Sequence, residues 1–233
     1  MRMMMKAKLP NKYNLEARYV PSLVCSVPFF FLGYYYLGGI DSEFWSSAAG
    51  LTVGGLGLTA AMLFVMVNFC RNFAKLIEEK MFNDGLAFPT TTFLLDADTN
   101  LSPGYKKSII KKIKDKFDID LSNETEGTVA NRRTINEAVR RINSIFFGKN
   151  DLLLQRNIQF GFAKNILAGS IIATVVSELG VVVSSFMDNV TALQVATVLL
   201  TAYATIALIA LVSVRFVARH YAQALYGEFM ASK

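Results

Sequence analysis

Four apolar stretches, each long enough to cross a bilayer and nearly free of charge, divide this 233-residue chain. They occupy 20–40, 47–70, 160–187 and 192–217. A helix rises 1.5 Å per residue, so about 20 residues suffice for a hydrocarbon core about 30 Å thick. Hydrophobic side chains make up 53% of the chain and the mean hydropathy is +0.36, more apolar than a soluble domain of ordinary composition. The bunching, more than the average, points to an all-α membrane protein with four transmembrane helices.

The connections 41–46 and 188–191 are too short for anything but a tight reversal, so the spans pair into two hairpins. The expected organisation is a cytosolic segment 1–19, a transmembrane hairpin 20–70, a basic, α-rich cytosolic domain 71–157, a second hairpin 158–217 and a cytosolic tail 218–233. Orientation follows from the positive charges. Arg2, Lys6, Lys8, Lys12 and Arg18 precede the first span, the short loops hold no Lys or Arg, and 71–157 carries 15 Lys and Arg against 12 Asp and Glu. Lys and Arg accumulate on the cytoplasmic side, so both termini are expected in the cytoplasm of a bacterial inner membrane. Tyr34, Tyr35, Tyr36 and Trp45 sit where amphipathic rings favour the headgroup layer. The basic start and the apolar run after it resemble a signal peptide but lack a small-residue cleavage site, so the run is read as a retained helix. Pro28 should kink that helix and free a carbonyl that a neighbour must satisfy.

Small residues predict how the spans pack. Gly50 with Gly54 and Gly57 with Ala61 in the second span, and Gly169 with Ala173 in the third, stand at four-residue intervals that let backbones approach closely. These stripes either meet within the chain or form an oligomer seam. Glu178 is the one acidic residue well inside a span, a depth at which an ionisable group is expected to face a bundle interior or a wet cavity. Thr197 and Thr201 lie at about its level and could satisfy its carboxyl. Both a structural hydrogen bond and a proton or cation pathway fit such a residue.

In the cytosolic domain the second span continues as an amphipathic stalk until Asn83-Asp84-Gly85 ends it. Residues 88–95, Phe-Pro-Thr-Thr-Thr-Phe-Leu-Leu, favour an extended chain and predict one short strand. Ser102-Pro103 is a helix start, followed by Tyr105, Ile109, Ile110, Ile113 and Phe117 on one face. Lys106, Lys107, Lys111, Lys112 and Lys114 are assigned to the other, facing solvent, anionic headgroups or a partner. A last helix is expected after the Thr134-x-x-Glu137 capping box. Where it enters the bilayer lie Gln155, Arg156, Asn157, Lys164 and Asn165, which could anchor to phosphates, cap helix ends or couple the domain to the third span.

Several chemistries drop out. Asp96-x-Asp98-x-Asn100 copies the start of a calcium loop, but Leu101 stands where the turn glycine belongs and Lys107 where the last carboxylate belongs. His220 is the only histidine, which removes the usual zinc and His-based triad arrangements. Cys25 and Cys70 lie inside apolar blocks, with no spacing for a metal pair. No metal or cofactor is expected, and no catalytic constellation. Aromatic residues do not interleave with the lysines as a single-strand stacking platform requires, so nucleic acid is not favoured as a partner.

Asn157-Ile-Gln-Phe160-Gly161-Phe162-Ala-Lys164-Asn165, with Phe88-Pro89-Thr90-Thr91, resembles a pattern in uncharacterised bacterial multi-helix membrane proteins. The layout is similar to that of small membrane effectors of antiviral defence operons, in which a cytosolic sensing part gates damage to the inner membrane. This implies a non-enzymatic effector or signalling component, homo-oligomeric, whose cytosolic domain senses a protein or small ligand and alters membrane permeability. A small channel or carrier using Glu178, or an adaptor without a pore, fits the same residues.

Overall fold

The computed structural model describes residues 12–37, 56–123, 125–146 and 149–232. Helices joined by turns and irregular loops make up these residues, with no strand among them. Three helical runs are long and apolar enough to cross a membrane: α1, Lys12–Leu32; α6, Asp151–Phe186; and α7, Val190–Ala231. Between them lie α2, Leu56–Met81; α3, Pro89–Thr92; α4, Pro103–Phe117; and α5, Val129–Phe146. Gly50, Gly54 and Trp45 fall outside the described residues.

α1 is irregular, and its prolines explain why. A π-helical turn, Leu15–Tyr19, precedes Pro21, and the helix breaks at Ser26, two residues before Pro28. Ser26 closes the break by donating both its amide and its hydroxyl to the Leu23 carbonyl, at 3.2 and 2.7 Å. A proline lacks the N–H that would bond four residues back, and its ring crowds that carbonyl.

The chain divides into two compact units. The apolar unit comprises Met1–Ala74 and Gly161–Val212, the polar unit Lys75–Phe160 and Ser213–Lys233. Within the apolar unit, α6 and α7 are joined by a tight turn in which Asp188 is left-handed at φ 51° and Asn189 caps α7 through Ala192 N–H, 3.0 Å from its Oδ1. Gly180 makes close packing possible there. A Cβ added to it would stand 2.9 Å from Leu32 of α1 and 3.4 Å from Ala196 of α7.

The polar unit has its own core, built from Phe93, Leu94, Ile109, Ile113, Leu121, Ile135, Ala138 and Ile142 together with Leu225, Tyr226 and Phe229. Residues 218–231, the end of α7, contribute to this core. Its apolar residues 222, 225, 226 and 229 recur at helical spacing and are all fully buried. Tyr105 and Tyr226 tie this helix down, donating to the carbonyls of Tyr226 and Thr90 respectively.

Two local expectations change. Residues 88–95 do not form a strand. Pro89 occupies the first turn of α3, with Thr91 and Thr92 N–H both bonding the Phe88 carbonyl, and Phe93, Leu94 and Leu95 are buried. The β preference of Thr and Phe yields, with no second strand among the described residues to pair with them. α5 also starts five residues before Thr134. Its cap is Thr128, whose hydroxyl accepts from Asn131 N–H at 3.2 Å, while Thr134 bonds back to Ala130. The stops match expectation: Asn83, Asp84 and Gly85 all have positive φ after α2.

Candidate functional site

In the apolar unit, two polar side chains reach the carbonyls that the prolines of α1 leave without their regular donors. Pro21 cannot donate to Ala17, and Asn165 Nδ2 donates to that oxygen at 2.8 Å while bonding the Gly161 carbonyl of its own helix at 2.8 Å. Pro28 cannot donate to Val24, and Tyr203 Oη donates to that oxygen at 2.5 Å. Asn165 and Tyr203 are buried. Asn165, grouped from sequence with residues at the bilayer entry, is thus an internal strut on α6. Tyr36 adds a third tie, donating to the Gly180 carbonyl at 3.2 Å and pairing with the Ser184 hydroxyl.

The small-residue stripe on α6 packs within the chain. A Cβ on Gly169 would lie 2.7 Å from Cys25 Sγ and 3.2 Å from Cys70 Sγ, and one on Gly161 would lie 2.9 Å from Ala17 Cβ. Ala173 is fully buried in the same cluster as Cys25, Met66, Cys70 and Tyr203. Gly169 and Ala173 therefore meet α1 and α2 of their own chain. Gly57 opens α2.

Glu178 lies elsewhere. It is exposed on α6, with no hydrogen-bond partner among the described residues, rather than turned into the packed interior. Thr197 and Thr201 are exposed as well. Thr197 returns its hydroxyl to Leu193 O at 2.8 Å, and Thr201 to Val198 O and Thr197 O at 2.9 and 3.1 Å. The structure does not bring the three side chains together in a hydrogen bond. The residue preceding Gly180 by two points away from the face that packs, because successive helical residues turn by about 100°.

In the polar unit the lysines of α4 separate into different roles. Lys106 is buried, its ammonium donating to the Leu95 and Asp98 carbonyls, both at 2.5 Å. Lys112 donates to Met230 O at 3.1 Å and to Ser232 O, and sits 5.4 Å from the centre of the Phe229 ring. It caps the end of α7, where exposed carbonyls and the helix dipole favour a cation. Both ammonium groups are taken up within the fold: 106 stands three and seven residues before Ile109 and Ile113, on their buried face. Lys114 pairs with Asp120 at 2.6 Å. That hydrogen bond raises the Lys114 ammonium above its ordinary pKa, and the same bond, with two from Ser122, holds the Asp120 carboxyl well below the usual carboxylate range. Lys107 and Lys111 remain exposed.

Two cavities lie among the described residues of the polar unit. One, of about 460 Å³, is lined by the edge-packed rings of Phe82, Phe88 and Phe160 and by Tyr221, Arg140 and Asn157. The other, of about 640 Å³, lies along α4 beside Lys107 and Lys111. Asp96 and Asp98 border the second but are engaged, Asp96 by Thr125 at 2.8 Å and Asp98 by the amide and side chain of Asn100. Among the described residues no three His, Cys, Asp or Glu side chains cluster in a way that would hold a metal ion.

Of the remaining bilayer-entry residues, Gln155 and Asn157 are exposed and Lys164 is half-buried. Arg156 bonds Gln159 at 3.0 Å, and its Nε is buried with no acceptor in reach. Reading the sequence alone missed Tyr203 and Tyr226. Both are tyrosines on the apolar stripe of a long helix, a position at which a buried hydroxyl needs a partner. No protein family, curated protein or solved structure is found to match this chain.

Proposed function

We propose that this chain is a four-span, non-enzymatic membrane effector of the bacterial inner membrane, with both termini cytoplasmic, that assembles as a homo-oligomer and alters membrane permeability when its polar unit engages a protein or small ligand. The fourth span is 47–70, the part of α2 and its preceding residues that completes the first hairpin. One observation supports the reading above others. α6 and α7 each supply residues to both units within a single helix, an element of the kind through which a change at one site can bias another.

The test is membrane potential and dye leakage in bacteria on controlled expression of the wild type and of a variant with the polar-unit helix 218–233 removed. Depolarisation by the wild type that the truncation abolishes, with the protein still in the membrane, is the expected result. An unchanged potential in both sinks the permeability reading and leaves a membrane-anchored adaptor. Exposure of Glu178 on an apolar helix supports a second reading, a channel or carrier in which copies of the chain enclose that carboxyl. There Glu178→Gln abolishes flux while assembly persists.

A further inference from the structure

The cavity along α4 has the size of a small-molecule site, about 640 Å³ against the roughly 300–1,000 Å³ such sites occupy, and the charge around it is unevenly committed. Lys106 is fixed on two carbonyls and Lys114 on Asp120. The carboxylates of Asp96 and Asp98 already accept hydrogen bonds from Thr125 and Asn100. Lys107 and Lys111 are different. Both are exposed, both line the cavity, and neither has a partner among the described residues. They stand four residues apart on one helix, so their Cβ atoms are about 5–6 Å apart on the same face, and their flexible stems let both ammonium groups reach one anion.

The rest of the lining narrows the ligand. The start of α4 at Ser102 and Pro103 borders the cavity, adding the positive end of a 15-residue helix. Leu101 and Ile110, both half-buried, supply apolar surface to the cavity, and no aromatic ring is among the lining residues. Stacking of a nucleobase, which relies on such rings, has no platform here.

We propose that this cavity binds a phosphate group, held by Lys107 and Lys111, that is carried on an aliphatic or polyol body lying over Leu101 and Ile110. This deepens the proposed function by naming the ligand class of the polar unit, and it rests on that reading only for its role, since binding is measured without permeability. The same chemistry is offered by a free phosphorylated molecule and by an anionic lipid headgroup.

The experiment uses the full chain purified in a phosphate-free glycoside detergent, as wild type, as Lys107→Gln with Lys111→Gln, and as Lys80→Gln, which removes an exposed charge elsewhere in the polar unit. One arm titrates inorganic pyrophosphate by calorimetry. The other measures retention of phosphatidylglycerol over phosphatidylcholine by native mass spectrometry. In at least one arm the double variant should bind about tenfold more weakly or worse, since two charge-assisted hydrogen bonds are lost, with Lys80→Gln matching the wild type. A loss confined to pyrophosphate identifies a free ligand, and a loss confined to phosphatidylglycerol identifies a lipid. Replacing both lysines with arginine should restore binding, which a folding defect would not allow. Equal binding by wild type and double variant in both arms overturns the site, whatever the permeability assay gives; binding that is present and lysine-dependent, beside an unchanged membrane potential, overturns the effector reading instead.

Discussion

Tyr203 on α7 donates its hydroxyl to the carbonyl oxygen of Val24 on α1 at 2.5 Å, the oxygen that Pro28, four residues further on, has no N–H to reach. In a bilayer an unsatisfied carbonyl finds no water to replace the lost donor, so a proline in a spanning helix commits another helix to supply one. Asn165 does the same for the Ala17 oxygen opposite Pro21.

Tyr203→Phe should destabilise the protein by about 0.5–2 kcal/mol, the range for one interhelical hydrogen bond, read as thermal or SDS-induced unfolding in detergent. In a Pro28→Ala background the helix regains its own donor, and the cost of Tyr203→Phe should shrink clearly. An equal cost in both backgrounds would show that the proline is not what leaves the Val24 oxygen in need.

Two glycine substitutions should move stability in opposite directions. Gly169→Ala places a methyl group 2.7 Å from Cys25 Sγ and 2.8 Å from its Cβ, and overpacking of this kind costs about 1–3 kcal/mol. Gly104→Ala on α4 meets nothing within 4 Å and should stabilise by about 0.5–1 kcal/mol through helix propensity. Melting temperatures of the two variants, compared with the wild type, check both signs at once.

Lys106→Met should cost about 2–3 kcal/mol, because it strips the donor from two carbonyls in a buried position. Lys107→Met, one residue along and exposed, should stay within about 0.5 kcal/mol of the wild type. Similar losses at the two positions would mean that Lys106 is not held inside the fold.

Acid should weaken the link between α4 and the following turn. The Asp120 carboxyl titrates below its unfolded value because Lys114 and Ser122 hydrogen-bond its charged form, so its contribution is present above about pH 4 and is lost as pH falls through the folded value. The Lys114 ammonium titrates above its unfolded value, so its contribution is present below about pH 10 and is lost as pH rises further. Both side chains are exposed, and salt should screen the pair. Asp120→Asn should flatten the acid limb of a pH–stability curve; a limb unchanged by that substitution would assign acid sensitivity to other carboxylates.

Long apolar blocks were readable in the sequence because length and composition alone define them, and the need for a donor near Pro28 was readable because it is local. The donor was not. Nothing near Val24 encodes a tyrosine 179 residues away, since register between distant helices is set by packing. Lys106 was legible in retrospect from its spacing to Ile109 and Ile113, but its charge outweighed periodicity in the assignment. For 88–95 the reverse happened, as β propensity was weighed above Pro89, whose place in the first turn of a helix is well tolerated. The face on which Glu178 falls depended on which side of α6 meets α1 and α7, and only the packed structure decides that.

Asn165 also ties the protein to the order in which it is made. Ala17 leaves the ribosome 148 residues ahead of the side chain that will hold its carbonyl, an interval of about 7–30 s at elongation rates of about 5–20 residues per second. For that time the earliest helix waits on a late one. A ribosome that stalls before residue 165 leaves behind a first helix without that donor, and such a fragment is the form in which membrane quality control would meet this protein unfinished.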